Sequence, residues 1–144
     1  MAKQNLREDG LEKSICFVVT LPVTFRAFLI KQTEFLVKNG WDVVLICAED
    51  SKLHQEIPDG VKYTPLPFKR GLDLLGTPKT IFRLYQVFRR KRFNIVQYST
   101  PNAAFCASTA AWLARIPVRI YAQWGIRYVG FSGIARKIFK FLES

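Results

Sequence analysis

The chain is 144 residues long, 49% hydrophobic and 23% charged, which fits one globular domain that buries one sheet between helix layers and excludes a largely disordered protein. Its 22 Lys and Arg against 11 Asp and Glu leave a net charge of +11, so the surface attracts polyanions; charge alone does not choose among phosphate-bearing substrates, anionic lipid and nucleic acid. Cys16, Cys47 and Cys106 are odd in number, widely spaced and set among apolar residues, which argues against a disulfide or zinc framework and predicts buried thiols in a reducing compartment, the cytoplasm.

Residues 1–13 read as a flexible polar leader. Residues 14–20 form a continuous apolar run rich in β-branched side chains, the pattern of a strand buried on both faces of a parallel sheet. The overlapping run 15–23 also has the look of a signal-peptide core. Its leader mixes Arg7 and Lys13 with Glu8, Asp9 and Glu12, and no small-residue cleavage site follows, so secretion is rejected. Leu21 and Pro22 break the strand, and Phe25, Phe28, Leu29, Phe35 and Leu36 then recur at helical spacing until Asn39 and Gly40 supply a stop. Arg26, Lys31 and Glu34 interrupt the best candidate for a membrane span, so membrane contact is expected to be peripheral.

Residues 41–48 are a second apolar, β-branched strand, and 61–65 a weaker one introduced by the turn Pro58-Asp59-Gly60. A loop follows over 66–76. From Thr77 and Pro78 onward, Ile81, Leu84, Tyr85 and Phe88 mark an amphipathic helix ending in Arg89, Arg90, Lys91 and Arg92. Residues 93–98 read as a strand, 103–114 as an alanine-rich helix that packs closely on a sheet, 118–122 as a strand, and a last helix begins near Ser132. The alternation predicts an α/β fold: a Rossmann-like open, mostly parallel sheet with helices on both faces, whose ligands lie beyond the carboxyl ends of the strands.

Three loops at those ends carry a family resemblance. Thr20-Leu-Pro-Val-Thr-Phe-Arg-Ala-Phe-Leu29, Ile95-Val-Gln-Tyr-Ser-Thr-Pro-Asn-Ala103 and Ile120-Tyr-Ala-Gln-Trp-Gly-Ile-Arg-Tyr128 resemble the corresponding segments of bacterial family 4 glycosyltransferases, retaining enzymes of the GT-B fold. The resemblance runs from Ser14 onward and is to the first half of a two-domain enzyme, so 14–144 is expected to be the N-terminal, acceptor-side domain, with the C-terminal donor-binding domain absent. In that family the N-terminal domain receives a saccharide or lipid-linked acceptor, and the C-terminal domain holds the nucleotide-sugar through two spaced glutamates that this sequence lacks. The resemblance therefore implies a fragment inactive alone, working in surface-glycan synthesis at the inner face of the membrane. Nucleotide-sugar is expected to bind only together with the missing domain. The other reading is a stand-alone binding or membrane-recruitment module for a separate donor-binding subunit.

The chain departs from the family at three motifs. Where the family reads His-x-His-x-Pro, this sequence has Gln97-Tyr98-Ser99-Thr100-Pro101; the common His-Gly is Trp124-Gly125; the glycine-rich turn after the first strand is Leu21-Pro22-Val23-Thr24. No catalytic residue is assigned. The expected cleft-lining residues are Thr24, Arg26, Ser99, Thr100, Asn102, Gln123, Trp124 and Arg127. Retaining transfer asks the acceptor domain for positioning and electrostatics. Arg26, placed at a helix start, either holds a phosphate together with backbone N–H groups or is a solvated arginine. Ser99 or Thr100 caps the following helix while Asn102 offers an amide to a sugar hydroxyl. Gln123, Trp124 and Arg127 offer an amide, an aromatic platform and a cation.

His54, the one histidine, has no partner pattern and receives no role, and neither a metal nor a cofactor is expected. The basic regions 79–92 and 136–140 suit contact with anionic lipid or serve as solvated faces. No nucleic-acid-binding motif accompanies the charge, so no specific nucleic acid is expected.

Overall fold

The computed structural model describes residues 13–68 and 75–124. Five strands, β1 (Ser14–Val18), β2 (Asp42–Cys47), β3 (Val61–Pro65), β4 (Ile95–Ser99) and β5 (Val118–Ala122), form one sheet in the order β3-β2-β1-β4-β5, with every neighbouring pair parallel. The helices are α1 (Pro22–Phe28), α2 (Ile30–Lys38), α3 (Leu53–Glu56), α4 (Gly76–Lys91) and α5 (Pro101–Leu113). Among these described residues no helix is long and apolar enough to cross a membrane.

The central strands explain the continuous apolar runs. Alternate residues of a strand face opposite sides. Accordingly Ile15, Phe17 and Val19 join Val43, Leu45 and Cys47 against Phe25, Leu29 and Leu53, while Cys16 and Val18 join Val44, Ile46, Val96 and Tyr98 against Leu84, Phe88, Cys106, Ala107 and Ala110. Two cores therefore sandwich one sheet. The outer strands are less covered: β3 is partly exposed, and Val118, Arg119, Ile120 and Tyr121 of β5 are all exposed.

The expected helix over 25–39 is two helices. It begins three residues earlier, because Pro22 suits a first helical position, and it is interrupted at Leu29, whose N–H still bonds the carbonyl of Phe25 (2.9 Å). Phe28 and Phe35 keep helical spacing but point outward, 49% and 65% exposed. The stop at Gly40 is as read: φ is +85°, and the N–H groups of Gly40 and Trp41 return to the carbonyls of Val37 and Leu36 (both 3.0 Å). Gly60 (φ +89°) is needed twice over, since a Cβ there would stand 2.7 Å from Val37 Cγ1. The short α3 lies in a stretch read without structure. Just before β1, the Lys13 carbonyl accepts the Asp42 N–H (2.8 Å). The rest of the leader, Arg127, the basic region 136–140 and the helix expected near Ser132 lie outside the described residues.

Charge is divided between the halves of this sheet. Residues 13–68 carry six Lys and Arg against six Asp and Glu; residues 75–124 carry Lys79, Arg83, Arg89, Arg90, Lys91, Arg92, Arg115 and Arg119 and no Asp or Glu. The cationic character therefore concentrates on α4, the turns that end α4 and α5, and β5.

Candidate functional site

The strand order reverses direction between β1 and β4, and an open α/β sheet leaves a crevice at such a switch, beyond the carboxyl ends of the strands. Side chains from both strands meet there. Thr20, buried just after β1, and Thr100, just after β4, share a hydroxyl–hydroxyl hydrogen bond of 2.6 Å. At the opposite ends of the same two strands, Asn94 Oδ1 accepts from the Ser14 N–H (2.9 Å) and lies 3.2 Å from the Ser14 hydroxyl. The central parallel pair is thus fastened at both ends across eighty residues of sequence.

Thr100 holds its hydroxyl there at a backbone cost. Its φ of +76° and ψ of 137° lie where a β-branched residue is strained, by roughly 1–3 kcal/mol. It precedes α5 but makes no side-chain capping bond, so the expected capping role of Thr100 is replaced by the bond to Thr20. Ser99 does not cap either: its buried Oγ accepts from the indole Nε1–H of Trp124 (3.0 Å). The two positions where the family's second histidine and its later His-Gly histidine would stand, Ser99 and Trp124, are therefore bonded to each other. Gln97, at the first histidine position, is buried and accepts a long bond from Gln32 (3.4 Å).

The indole of Trp124 also stacks on Phe28, centroids 4.9 Å apart and planes within 1°. Both rings remain nearly half exposed. Phe28 read as core from its spacing, and only the fold identifies it as the floor of an aromatic platform. The loops after β1, β4 and β5 thus converge through Thr20–Thr100, Ser99–Trp124 and Phe28–Trp124. Thr24 lies half-buried in the first turn of α1, Asn102 at the second position of α5 and Gln123 in the loop beside Trp124.

Arg26 departs from the expected geometry. It occupies the last turn of α1 rather than its start, so the free N–H groups of that helix are not beside it. Its Nη2 pairs with Asp50 (3.1 Å) and its Nε with Glu56, tying α1 to the loop after β2 and to α3. The hydrogen bond to Glu56 is the main cause that raises the Arg26 pKa above its ordinary value. Desolvation pushes the Asp50 carboxyl up, but the Arg26 hydrogen bond together with the N–H groups of Lys52 and Leu53 outweighs it and holds the pKa below 3.8.

Burial pushes Cys47 up to about 11 and raises Cys16 and Cys106, so the three free thiols stay protonated and unreactive near neutrality. His54 is exposed, 3.3 Å from Glu49 and beside the Tyr63 ring. Among the described residues no three His, Cys, Asp or Glu side chains gather to hold a metal ion. The arrangement offers hydroxyls, an indole and stacked rings: groups that bind and orient polyols, with no nucleophile–base pair among them.

Known proteins of similar sequence and fold give the chain a family. The family described as glycosyl transferase 4-like domain matches residues 31–144. A capsular polysaccharide biosynthesis glycosyltransferase of Staphylococcus aureus, CapM, is 28% identical over 112 residues, 78% of this chain and 29% of that protein. A UDP-Gal:alpha-D-GlcNAc-diphosphoundecaprenol alpha-1,3-galactosyltransferase of Escherichia coli is 25% identical over 119 residues, 79% of this chain and 30% of that protein. The chain therefore spans about three-tenths of the curated relatives it matches. Among solved structures, MurG of Acinetobacter baumannii superposes with a TM-score of 0.59 at 13% identity, over 90% of this chain and 39% of that one. A putative UDP-N-acetylglucosamine 2-epimerase of Listeria monocytogenes does so with 0.59 at 13% identity, over 91% and 37%. The low identities speak for the fold, and the family match over most of the sequence for descent: this chain belongs to the glycosyl transferase 4-like domain family, as an N-terminal domain of the bacterial family 4 GT-B glycosyltransferases.

Proposed function

We propose that this domain is the acceptor-binding half of a glycosyltransferase that moves a sugar from a nucleotide-sugar to a saccharide or lipid-linked acceptor in surface-glycan synthesis. The observation that carries this reading is the meeting of three loops at the β1/β4 switch point, with the Phe28–Trp124 stack beside the Thr20–Thr100 and Ser99 hydroxyls. A sugar ring placed on the free face of such a stack gains contact through its C–H face, while Asn102 and Gln123 supply amides for its hydroxyls. The Ser99 bond fixes the indole before the sugar arrives, which lowers the cost of binding.

Chemistry of transfer is assigned to the two domains together. The acceptor side orients one hydroxyl and excludes water, worth several kcal/mol of barrier without any covalent step from this domain. Arg26 reaches a phosphate only in competition with Asp50 and Glu56, and Arg127 is the second cation of this reading by its place in the family motif. In this reading the isolated chain turns over nothing. The exposed Phe82 among the cations of α4, with Phe105 and Trp112 on the neighbouring uncharged α5, supports peripheral contact of this domain with anionic membrane, where lipid-linked acceptors reside.

Calorimetric titration of the chain with a short prenyl-diphosphate-linked saccharide, and separately with UDP- and GDP-sugars, tests the reading. Saccharide binding that falls about tenfold or more in Trp124→Ala, as loss of an aromatic anchor predicts, supports it. Tight nucleotide-sugar binding by the chain alone, or turnover of a nucleotide-sugar, overturns it.

A further inference from the structure

The opposite edge of the sheet, at the amino ends of β4 and β5, holds a second recess of about 180 Å³ lined by Arg89, Arg92, Phe93, Asn94, Arg115 and Ile116 among others. It lies where α4 and α5 both end. Arg92 closes α4 with φ +50°, its N–H bonded to the Phe88 carbonyl (2.9 Å). Arg115 follows α5 with φ +58°, and the N–H groups of Arg115 and Ile116 bond the carbonyls of Trp112 (3.1 Å) and Ala111 (2.9 Å). These are helix stops of the kind that glycine fills without strain, as Gly40 does after α2. Twice, at equivalent places flanking one recess, the strained left-handed position carries arginine instead.

Helix polarity does not account for this. The bonds just described already occupy the Phe88 carbonyl of α4 and the Ala111 and Trp112 carbonyls of α5. Each helix end presents about half a negative charge, so three arginines leave a surplus of roughly two positive charges in the recess. No Asp or Glu occurs between residues 75 and 124, and among the described residues neither Arg89, Arg92 nor Arg115 forms an ion pair, whereas Arg26 and Lys62 of the neutral half do.

We infer that Arg89, Arg92 and Arg115 form a binding site for a phosphate or diphosphate group, separate from the candidate cleft at the other end of the strands. Guanidinium forks suit phosphate oxygens in bidentate fashion, and Asn94 lines the same recess. The phosphate belongs either to a lipid headgroup or to a soluble phosphorylated compound, and the two sources share this recognition chemistry.

The test uses the full chain with inorganic pyrophosphate in calorimetry, and vesicles with or without phosphatidylglycerol in flotation. Arg92→Gly/Arg115→Gly removes two guanidinium groups while relieving the left-handed strain, so Tm is unchanged or raised while pyrophosphate affinity falls roughly tenfold per arginine. Lys79→Gln is the control for net charge, about 15 Å along α4 from Arg89 at the helical rise per residue, and it retains affinity. Parallel loss of phosphatidylglycerol-dependent flotation in the glycine variant identifies the headgroup; unchanged flotation identifies a soluble phosphate. Losses that are equal per charge removed in the glycine variant and in Lys79→Gln reduce the recess to diffuse charge and overturn the site. Absence of both pyrophosphate binding and phosphatidylglycerol-dependent flotation in the unmodified chain overturns it as well.

Discussion

Thr100, just after β4, and Arg26, in the last turn of α1, illustrate opposite uses of a polar side chain. Thr100 tolerates a strained backbone so that its hydroxyl meets Thr20, the pattern expected where position matters more than stability. Arg26 instead spends its charge inside the domain, on Asp50 and Glu56. That pairing has a pH signature. The folded-state pKa of Asp50 is depressed below its ordinary 3.8, so its contribution to stability is complete well above that value and is lost as pH falls through the folded pKa. Stability should therefore decline on the acid side of pH 4 more steeply in the unmodified chain than in Asp50→Asn. Urea denaturation followed at a series of pH values from about 5 downward checks this; parallel profiles for the two proteins would mean that Asp50 is no better paired folded than unfolded.

Helices and strands differ in how fully the sequence announces them. β1, β2 and β4 are legible because burial on both faces demands an unbroken apolar run, and Gly40 is legible because a helix stop with positive φ selects glycine. The break at Leu29 is not, since neither Pro nor Gly marks it, and α3 is a single turn too short to establish a period. Periodicity also counts apolar residues without saying which of them meets a core: Phe25 is fully buried, whereas Phe28 three positions on is 49% exposed and stacks on Trp124. The candidate site is half legible for the same reason. Its three loops follow from the α/β alternation and the family motifs, but Ser99–Trp124 and Thr20–Thr100 are contacts between distant residues that only folding brings together. A pair of substitutions separates the two kinds of phenylalanine. Phe88→Ala, which empties a core position between α4 and the sheet, should cost about 3–5 kcal/mol. Phe28→Ala should cost no more than the stacking itself, about 0.5–1.5 kcal/mol, and should shift the Trp124 fluorescence. Equal costs in chemical denaturation would place Phe28 in the core after all.

Across the whole molecule the governing feature is that one half of the sheet is electrically balanced and the other carries eight cations and no acid. The cationic half is also where Phe82, Phe105 and Trp112 stand 58–65% exposed, on two helices that share a core against the same face of the sheet. Charge and apolar exposure act at different ranges. Attraction to an anionic bilayer is screened within about 10 Å at 0.1 M salt, whereas insertion of aromatic rings is indifferent to salt. Flotation with phosphatidylglycerol vesicles should accordingly fall steeply between low and moderate salt, leaving a residual binding that Phe82→Ser/Trp112→Ser abolishes without changing the salt-sensitive part. Lys38→Glu, on the balanced half, changes net charge by two and should leave both parts intact. If Lys38→Glu weakens flotation as much as Arg90→Glu on α4, orientation plays no part and the attraction reports only the net charge of the chain. If instead the aromatic double variant alone removes the residual binding, the membrane meets the α4–α5 layer, and the cleft at the carboxyl ends of β1 and β4 is then presented at one fixed orientation to an acceptor held in that bilayer.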